Sequence, residues 1–351
     1  MSRRAATMTL TAVLIVALVC VAWLVPVPYA AMSPGPTANV LGEAEDHKPI
    51  IEIDGHRVYK TSGRLDLTTV AVSSPDQKLD LVSVLKGWLD PETAIVPYDY
   101  LYPGDPTPQQ VEQRNAEAMQ TSQQTAIAAA LRQAGERVTP VVQVQAVVEK
   151  TPAVGKLRAG DTIVAVDGTR VTDREQVVEL VGRHRPGEQV RFSIRRDGEP
   201  REVTITTTRA PDDPDRAFVG ITPHNGFEFP FEVTVNLGQE IGGPSAGAMF
   251  ALAIFDKLTP GALTGGQHIA GTGTIEPDGT IGPIGGIQQK IIGAREEGAT
   301  TFLVPAANCA DAVSADVDGI RLVKVETLDG AVKALERLAK DRDAKVPACA
   351  R

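Results

Sequence analysis

The chain has 351 residues, of which 42% are hydrophobic, and this length suits one large or two modest globular domains. Its net charge of -9, its aromatic content of 4% and the lack of a Lys/Arg-rich run argue against a nucleic-acid-binding protein. Its three cysteines lack the spacing of a zinc site, so no metal is expected.

An apolar run opens the chain. After Arg3 and Arg4 no charged residue occurs before Glu43, and residues 8–25 are apolar throughout apart from two threonines. As a helix this run is about 27 Å long, close to the thickness of a bilayer core. We predict a transmembrane anchor over residues 8–27, with residues 1–7 in the cytoplasm and the rest outside it, because positive charges stay inside.

A cleaved signal peptide is the alternative to an anchor, although the exit "VPVPYAAMS" lacks a good small-x-small cleavage site. Outside the cytoplasm Cys309 and Cys349 can form one disulfide that ties the C-terminal tail to the body. Two unpaired thiols are the other interpretation, and the sequence leaves both open.

Strands and a long helix are predicted after the apolar run. The segments "PIIEIDGHRVY" and "GRLDLTTVAVSS" are typical of strands. The segment "EQRNAEAMQTSQQTAIAAALRQAG" has the composition of a helix and ends at Gly135, a common C-terminal cap.

The middle of the chain alternates between strand and turn patterns. "VVQVQAVVE" predicts a strand, "REQVVELVGRH" a helix with Val177, Val178 and Val181 on one stripe, and Asp197-Gly198 the turn of a hairpin. Residues 138–209 resemble a bacterial PDZ domain, a partly open β-barrel with helices. The matching residues are Thr151-Pro152-Ala153, Leu157, Gly160-Asp161, Ile163 and Val166-Asp167-Gly168. The resemblance implies that an extended peptide joins a sheet edge, with the carboxylate-binding loop just before Val141.

A serine stands in "GGPSAG", ahead of a long apolar run. Ser245 fits G-x-S-x-G, the pattern of a hydrolase nucleophile, but His268 is the only downstream histidine and lies too near in sequence to complete such a triad. A helix-capping serine is the non-catalytic interpretation. The glycine at 243 lets a backbone approach closely and Pro244 suits a helix start, so we expect substrate and oxyanion binding at Gly243 and Pro244.

A lysine lies on an apolar helical stripe farther along. Lys290 shares its face with Ile287, Ile291 and Ala294. A lysine in this position usually extends its amine to the surface. If it stays buried, its pKa falls and the neutral amine can act as a general base beside a serine.

Three segments, "GGPSAG", "AGTGTIEPDGTIGPIGGIQQK" and "FLVPAAN", closely resemble the proteolytic domain of Lon-type serine peptidases. The order and spacing of these segments agree with those of the family from Phe231 to Asn308. The resemblance implies that Ser245 is the nucleophile, Lys290 the general base and Thr272 the residue that orients the lysine.

The expected architecture is an α/β (α+β) Lon-type protease domain with a PDZ domain. A Lon-type domain that began only at residue 213 would lack its first strands and helix. We therefore favour a PDZ insertion between protease parts 50–135 and 213–338, followed by a tail over 339–351. Three successive domains are the alternative.

The expected function is that of a membrane-tethered, ATP-independent serine endopeptidase without cofactors, because no G-x-x-x-x-G-K-[ST] motif occurs. It would act outside the cytoplasm on unfolded or exposed protein segments that the PDZ domain recruits or gates. Analogy with Lon-type domains suggests a homo-oligomer, a hexameric ring. The alternative is a catalytically inactive PDZ scaffold that binds the C-termini of exported proteins.

Overall fold

A computed structural model describes residues 3–44, 47–238 and 241–350. The chain separates into two compact units. The first combines residues 1–135 with 231–351, and the second consists of residues 136–230.

The first part of the first unit begins with a helix that is long and apolar enough to cross a membrane. This helix has 22 residues and none of its most apolar window is buried. It starts at Arg3, ahead of the predicted anchor over residues 8–27. It ends at Leu24, short of the predicted end, because Pro26 and Pro28 follow. The elements are α1 (Arg3–Leu24), β1 (Tyr29–Asn39), β2 (Ile51–Asp54), β3 (Arg64–Val72), α2 (Leu81–Leu89), β4 (Ala94–Pro97), α3 (Tyr98–Leu101) and α4 (Pro108–Gln133).

Strand β1 was not expected from the sequence, because "YAAMSPGPTAN" has no alternation and carries two prolines. It nevertheless pairs with β3 on one side and β4 on the other. The pairing with β3 shifts register between Pro34 and Thr37, and such a bulge tolerates proline within a sheet. Only residues 25–28 connect α1 to β1.

The second unit has its own apolar core, which antiparallel strands and one helix enclose. Its main sheet has the order β12-β5-β6-β8-β9, with β7 beside β6. Val177 and Val181 of the helix are buried as predicted, whereas Val178 is exposed. The elements are β5 (Thr139–Val147), β6 (Thr162–Val166), β7 (Thr169–Arg170), α5 (Arg174–Gly182), β8 (Gln189–Arg196), β9 (Glu199–Thr206), β10 (Thr208–Arg209), β11 (Ala217–Phe218) and β12 (Ile221–Glu228).

The boundaries of this unit differ from the predicted 138–209. Strand β12 pairs with β5 along its whole length, so residues 213–230 lie in the second unit and not in the protease part. The same pairing covers β5 on one side while β6 covers the other. A peptide therefore cannot join the sheet at β5, as the carboxylate-binding loop expected just before Val141 would require, and the outer strands of the sheet are β12 and β9.

The chain returns to the first unit after Pro230. The elements there are β13 (Glu232–Val235), α6 (Gly247–Leu258), β14 (His268–Gly271), β15 (Thr274–Ile275), β16 (Ile281–Gly282), α7 (Ile287–Glu296), β17 (Thr301–Pro305), a 3₁₀ turn (Ala306–Asn308), α8 (Cys309–Ser314), β18 (Arg321–Val325) and α9 (Leu328–Lys340).

A six-stranded sheet of order β18-β17-β14-β3-β1-β4 organises the first unit. The strands from β18 to β3 are parallel, and β1 and β4 add antiparallel pairs at one side. Helix α4 packs on α6, while α7 packs on β1 and β3. The carboxyl ends of β14 and β3 therefore face the loop before α6 and the start of α7.

The C-terminal tail packs against the sheet. The amide of Lys324 donates to the carbonyl of Pro347, and Val323 forms a β-bridge with Ala348. A disulfide joins Cys309 to Cys349, which resolves the choice that the sequence left open.

One buried carboxyl predicts a pH-dependent stability. Asp256 of α6 is 1% exposed, and its Oδ2 has no hydrogen-bond partner among the described residues. Burial raises its pKa from 3.8 to about 6, so the native protein binds this proton more tightly than the unfolded chain does. Stability should fall as the pH rises from about 4 through 6, by about 3 kcal/mol in all.

We expect Asp256→Asn to stabilise the protein at pH 8 by about 2 kcal/mol, because the amide keeps the acceptor for Leu263 and carries no charge. Urea unfolding at pH 5 and pH 8 measures this. Asp343→Asn, at an exposed site, is the control and should change neither value. Equal effects of Asp256→Asn at both pH values would contradict the prediction.

Candidate active site

The loop before α6 carries Ser245. The predicted helix start at Pro244 is wrong, because α6 begins only at Gly247 and Ser245 lies in the preceding turn. Gly243 has φ +88°, a conformation that favours glycine and lets the chain turn sharply ahead of the serine.

Helix α4 holds this loop in place from one side. The amide of Gly243 donates to the main-chain carbonyl of Asn115 (3.1 Å), and the hydroxyl of Ser122 donates to the carbonyl of Pro244 (3.0 Å). Asn115 and Ser122 are seven residues apart and so share a helix face. Thr107 and Gln110 form a capping box that fixes the start of α4. Neither Asn115 nor Ser122 was singled out from the sequence.

Thr272 follows directly on β14 and closes the loop from the other side. Its Oγ1 donates to the carbonyl of Ser245 (3.0 Å), and the amide of Gly273 donates to the same carbonyl (2.8 Å). Thr272 is completely buried, and the sheet fixes the strand that delivers it. The main chain of Ser245 is therefore anchored to the end of β14.

Lys290 comes from the first turns of α7. The helix starts after Gly286, whose φ is +68° and where a Cβ would lie 2.6 Å from Sδ of Met32 and 2.7 Å from Cγ1 of Val70. Glycine therefore lets α7 begin against β1 and β3. The apolar neighbours predicted for Lys290 are buried, and Lys290 itself is only 2% exposed.

The three side chains meet at one point. Nζ of Lys290 donates to Oγ of Ser245 (2.8 Å) and to Oγ1 of Thr272 (3.0 Å). Within the described part of the chain no carboxylate pairs with this lysine. Burial therefore lowers the pKa of Lys290 from 10.5 to about 8. A large fraction of the amine is neutral near this pH and can accept a proton from the serine hydroxyl.

The structure does not place an oxyanion donor at Gly243 or Pro244. The Gly243 amide is already bonded to Asn115, and proline has no amide hydrogen. No acceptor within the described residues takes the amides of Ser245 and Ala246, and both residues line the adjacent cavity. These two amides are thus the donors available to a negatively charged oxygen.

A cavity of about 900 Å³ opens over Ser245 and Lys290. One wall is α4 and the other is the second half of β3, residues 68–72. Strand β14 pairs with β3 only from Arg64 to Leu67, so beyond Leu67 this side of β3 has no strand partner among the described residues. The cavity therefore brings together a serine hydroxyl, a lysine amine and an unpaired strand edge.

His268 lies away from this cluster. It starts β14, whereas Thr272 follows the end of the same strand. Its Nε2 is 2.7 Å from Oδ2 of the buried Asp66. The histidine thus forms an interstrand pair, in agreement with its exclusion as the base for Ser245.

The hydroxyl of Thr272 links the lysine to the serine loop. Thr272→Val keeps the shape but removes this hydroxyl. For the peptide hydrolysis that the sequence predicts, we expect kcat to fall by about 10- to 100-fold with little change in KM, because Lys290 loses its orienting partner while the Gly273 amide still holds the Ser245 carbonyl. Steady-state kinetics measure the two constants. Thr274→Val, two residues farther, is the control. An unchanged kcat for Thr272→Val would contradict the role.

Two family models match parts of this chain. Residues 239–336 match the Lon protease (S16) C-terminal proteolytic domain, and residues 118–207 match a PDZ domain. The predicted combination of the two domains is confirmed. The PDZ match begins inside α4, whereas the compact second unit starts at residue 136.

Three curated relatives of this chain are Lon proteases. Lon protease of Paraburkholderia phytofirmans is 38% identical over 96 residues, covering 26% of this chain and 12% of the relative. Lon protease 1 of Sorangium cellulosum is 39% identical over 103 residues, 28% of this chain and 12% of the relative. Lon protease 1 of Herpetosiphon aurantiacus is 30% identical over 129 residues, 36% of this chain and 16% of the relative. The chain thus spans less than a fifth of their length.

Proposed function

We propose that this chain is a serine endopeptidase that uses Ser245 and Lys290 and needs no ATP. The observation that carries the proposal is a buried lysine that lies 2.8 Å from a serine hydroxyl at the floor of a cavity and pairs with no carboxylate among residues 3–44, 47–238 and 241–350. A buried lysine with only a structural role would be stabilised by a carboxylate counter-ion. A lysine that acts as a general base needs a lowered pKa, which a counter-ion would prevent.

The chemistry follows from the positions of the three side chains. Lys290 takes the hydroxyl proton as Oγ of Ser245 attacks the peptide carbonyl, and the oxyanion accepts hydrogen bonds from the amides of Ser245 and Ala246. The C–N bond then breaks as Lys290 passes its proton to the leaving amine. Water, deprotonated by the same lysine, hydrolyses the acyl ester and restores Ser245.

The peptide bond before Ser245 supports this oxyanion assignment. In a trans peptide the carbonyl and the next amide point in opposite directions. The hydroxyl of Ser122 holds the Pro244 carbonyl towards α4. The amide of Ser245 therefore points away from α4, and its orientation is already fixed when substrate binds.

The substrate is an extended polypeptide segment. The free side of residues 68–72 in β3 offers main-chain donors and acceptors to a chain that adds as a strand beside it. A folded domain does not present such a segment. Unfolded chains and exposed loops are therefore the class of substrate that fits the cavity.

Helix α1 tethers the protein to the cytoplasmic membrane, and Arg3 and Arg4 keep its start inside the cell. The catalytic unit then lies outside the cytoplasm. A reporter fused after Arg351 tests this topology: export with full-length protein in the membrane fraction supports it. A soluble form that begins near Ala31 would replace it with a cleaved signal peptide.

The second unit captures peptides at β12, one of the two outer strands of its sheet. Helix α5 lies beside this strand, with the Arg174 amide bonded to the side chain of Asn225. Gly220, at φ +88°, precedes the strand where a carboxylate-binding turn is needed. In hydrogen exchange, a peptide ending in an apolar residue should newly protect those amides of residues 221–228 that face away from β5. Binding without protection there would refute strand addition.

Hydrolysis of an unfolded protein by the full chain, without ATP, tests the main proposal. Detergent-solubilised protein should release peptides from reduced, unfolded casein, and Ser245→Ala should release none. The alternative is an inactive scaffold that binds the C-termini of exported proteins at β12. No cleavage by the wild-type chain, as a monomer or as an oligomer resolved by sedimentation, would favour that alternative.

A further inference from the structure

Helix α2 turns its bulky apolar side chains outward. Its buried face consists of Val84 and Gly87, and a Cβ on Gly87 would lie 2.4 Å from Cδ1 of Ile95. The exposed apolar side chains, here called the α2 stripe, are Leu81, Leu85, Trp88 and Leu89. These four positions fall within about 100° of arc on the helix. A surface helix in water normally has the reverse arrangement, so this helix is suited to a different environment.

The α2 stripe begins where the chain leaves α1. The amide of Val27 donates to the carbonyl of Leu79 (2.8 Å), and Pro26 forms a β-bridge with Asp80, the residue that caps α2. The rings of Tyr29 and Trp88 meet edge to face with centroids 6.2 Å apart. The α2 stripe therefore lies directly beside the end of α1.

The aromatic residues of this region have the distribution of a membrane interface. The chain has two tryptophans, and both lie here. Trp23 is in the last turn of α1 and 58% exposed, while Trp88 is in the α2 stripe and 59% exposed. Tyr100 of the neighbouring α3 is 71% exposed. Tryptophan and tyrosine favour the level of the lipid headgroups, where one end of the ring is apolar and the other is hydrated.

We propose that the α2 stripe is inserted into the headgroup region of the bilayer beside α1, so that a second helix holds the catalytic unit to the membrane. The inference rests on the proposed tethering by α1. We assign the lipid bilayer as the surface that the stripe contacts. Only residues 25–28 separate α1 from β1, and Val27 bonds to the residue just before Asp80, so α2 lies at the level where α1 leaves the membrane. A helix lying in this plane with leucine and tryptophan towards the lipid is a known mode of binding.

Tryptophan fluorescence of the full chain tests this in vesicles of phosphatidylcholine and phosphatidylglycerol. Trp23→Phe leaves Trp88 as the sole tryptophan, and Trp88→Phe leaves Trp23. Lipids brominated near the headgroup end of the acyl chain should quench Trp88, and aqueous acrylamide should reach it poorly. Val58→Trp in the chain that lacks both tryptophans is the control: this exposed site between β2 and β3 should be quenched by acrylamide alone.

The outcomes separate the two proposals. If bromolipids quench Trp23 while Trp88 responds only to acrylamide, the tether stands and the α2 inference is overturned. If Trp88 is shielded from both quenchers, a protein surface such as a second copy covers it, and the inference is again overturned. If Trp23 is not quenched by bromolipids, the tethering proposal falls and the α2 inference falls with it.

Discussion

Lys290→Ala is expected to lower kcat/KM for peptide hydrolysis by about 10⁴-fold or more, as severely as Ser245→Ala. Within the described cluster only the amine of Lys290 can take the serine proton, because the hydroxyl of Thr272 is a very weak base. Nucleophile and base act as a unit, so the double variant should be little worse than either single one.

The pH dependence gives this prediction a second measurement. Only the neutral amine is a base, and burial lowers the pKa of Lys290 to about 8. The value of kcat/KM should therefore rise with pH through about 8 and level off above it. Lys290→Arg should be inactive at every pH, because a guanidinium keeps its proton.

Lys257→Ala is the matched control, since this partly buried lysine on α6 bonds to the carbonyl of Ile51 and lies outside the cavity. It should keep the pH profile of the wild-type protein. If Lys290→Ala retains near-normal activity while Ser245→Ala has none, another base is at work and the Ser-Lys mechanism is wrong.

Lys290→Met should make the protein inactive but more stable. The native pKa of about 8 lies below the usual 10.5, so the folded protein binds the lysine proton less tightly than the unfolded chain does. The difference in proton binding destabilises the folded state by its full amount below pH 8. This destabilisation disappears as the pH rises towards 10.5. The shift corresponds to about 3 kcal/mol at pH 7, and methionine fills the same space without charge.

Urea unfolding of Ser245→Ala and of Ser245→Ala/Lys290→Met measures this gain without self-cleavage. The difference in free energy of unfolding should be about 3 kcal/mol at pH 7 and small at pH 10. Lys333→Met, at a solvent-exposed lysine on α9, should change stability little at either pH. A destabilising Lys290→Met at pH 7 would show that the lysine is held for structure.

Local patterns and the family resemblance together predicted that Ser245, Thr272 and Lys290 act at one site, and the structure brings their side chains into hydrogen-bond contact. The spacing of Ile287, Lys290 and Ile291 placed the lysine on a buried face, and the segment around Thr272 was short enough to identify by resemblance. The long helix α4 and the hairpin of β8 and β9 were also predictable, because their capping and turn residues are neighbours in sequence.

Features that depend on distant pairing were not predictable. Strand β1 has a proline-rich sequence, and only its two partners in the sheet make it a strand. The boundary at residue 230 depends on β12 reaching back to β5 across the whole second unit. Ser122 is an ordinary polar residue on a helix until the loop of Pro244 is folded against it.

The short connection from α1 to β1 limits how far the cavity can lie from the end of α1. Strand β1 begins at Tyr29, and five residues later Pro34 pairs with Val70 on the wall of the cavity. At about 3.3 Å per residue, this wall stands no more than about 17 Å from the point where β1 begins. If α1 is the proposed tether, this spacing holds one wall of the cavity near the membrane surface, where a segment of a membrane-inserted substrate can reach it.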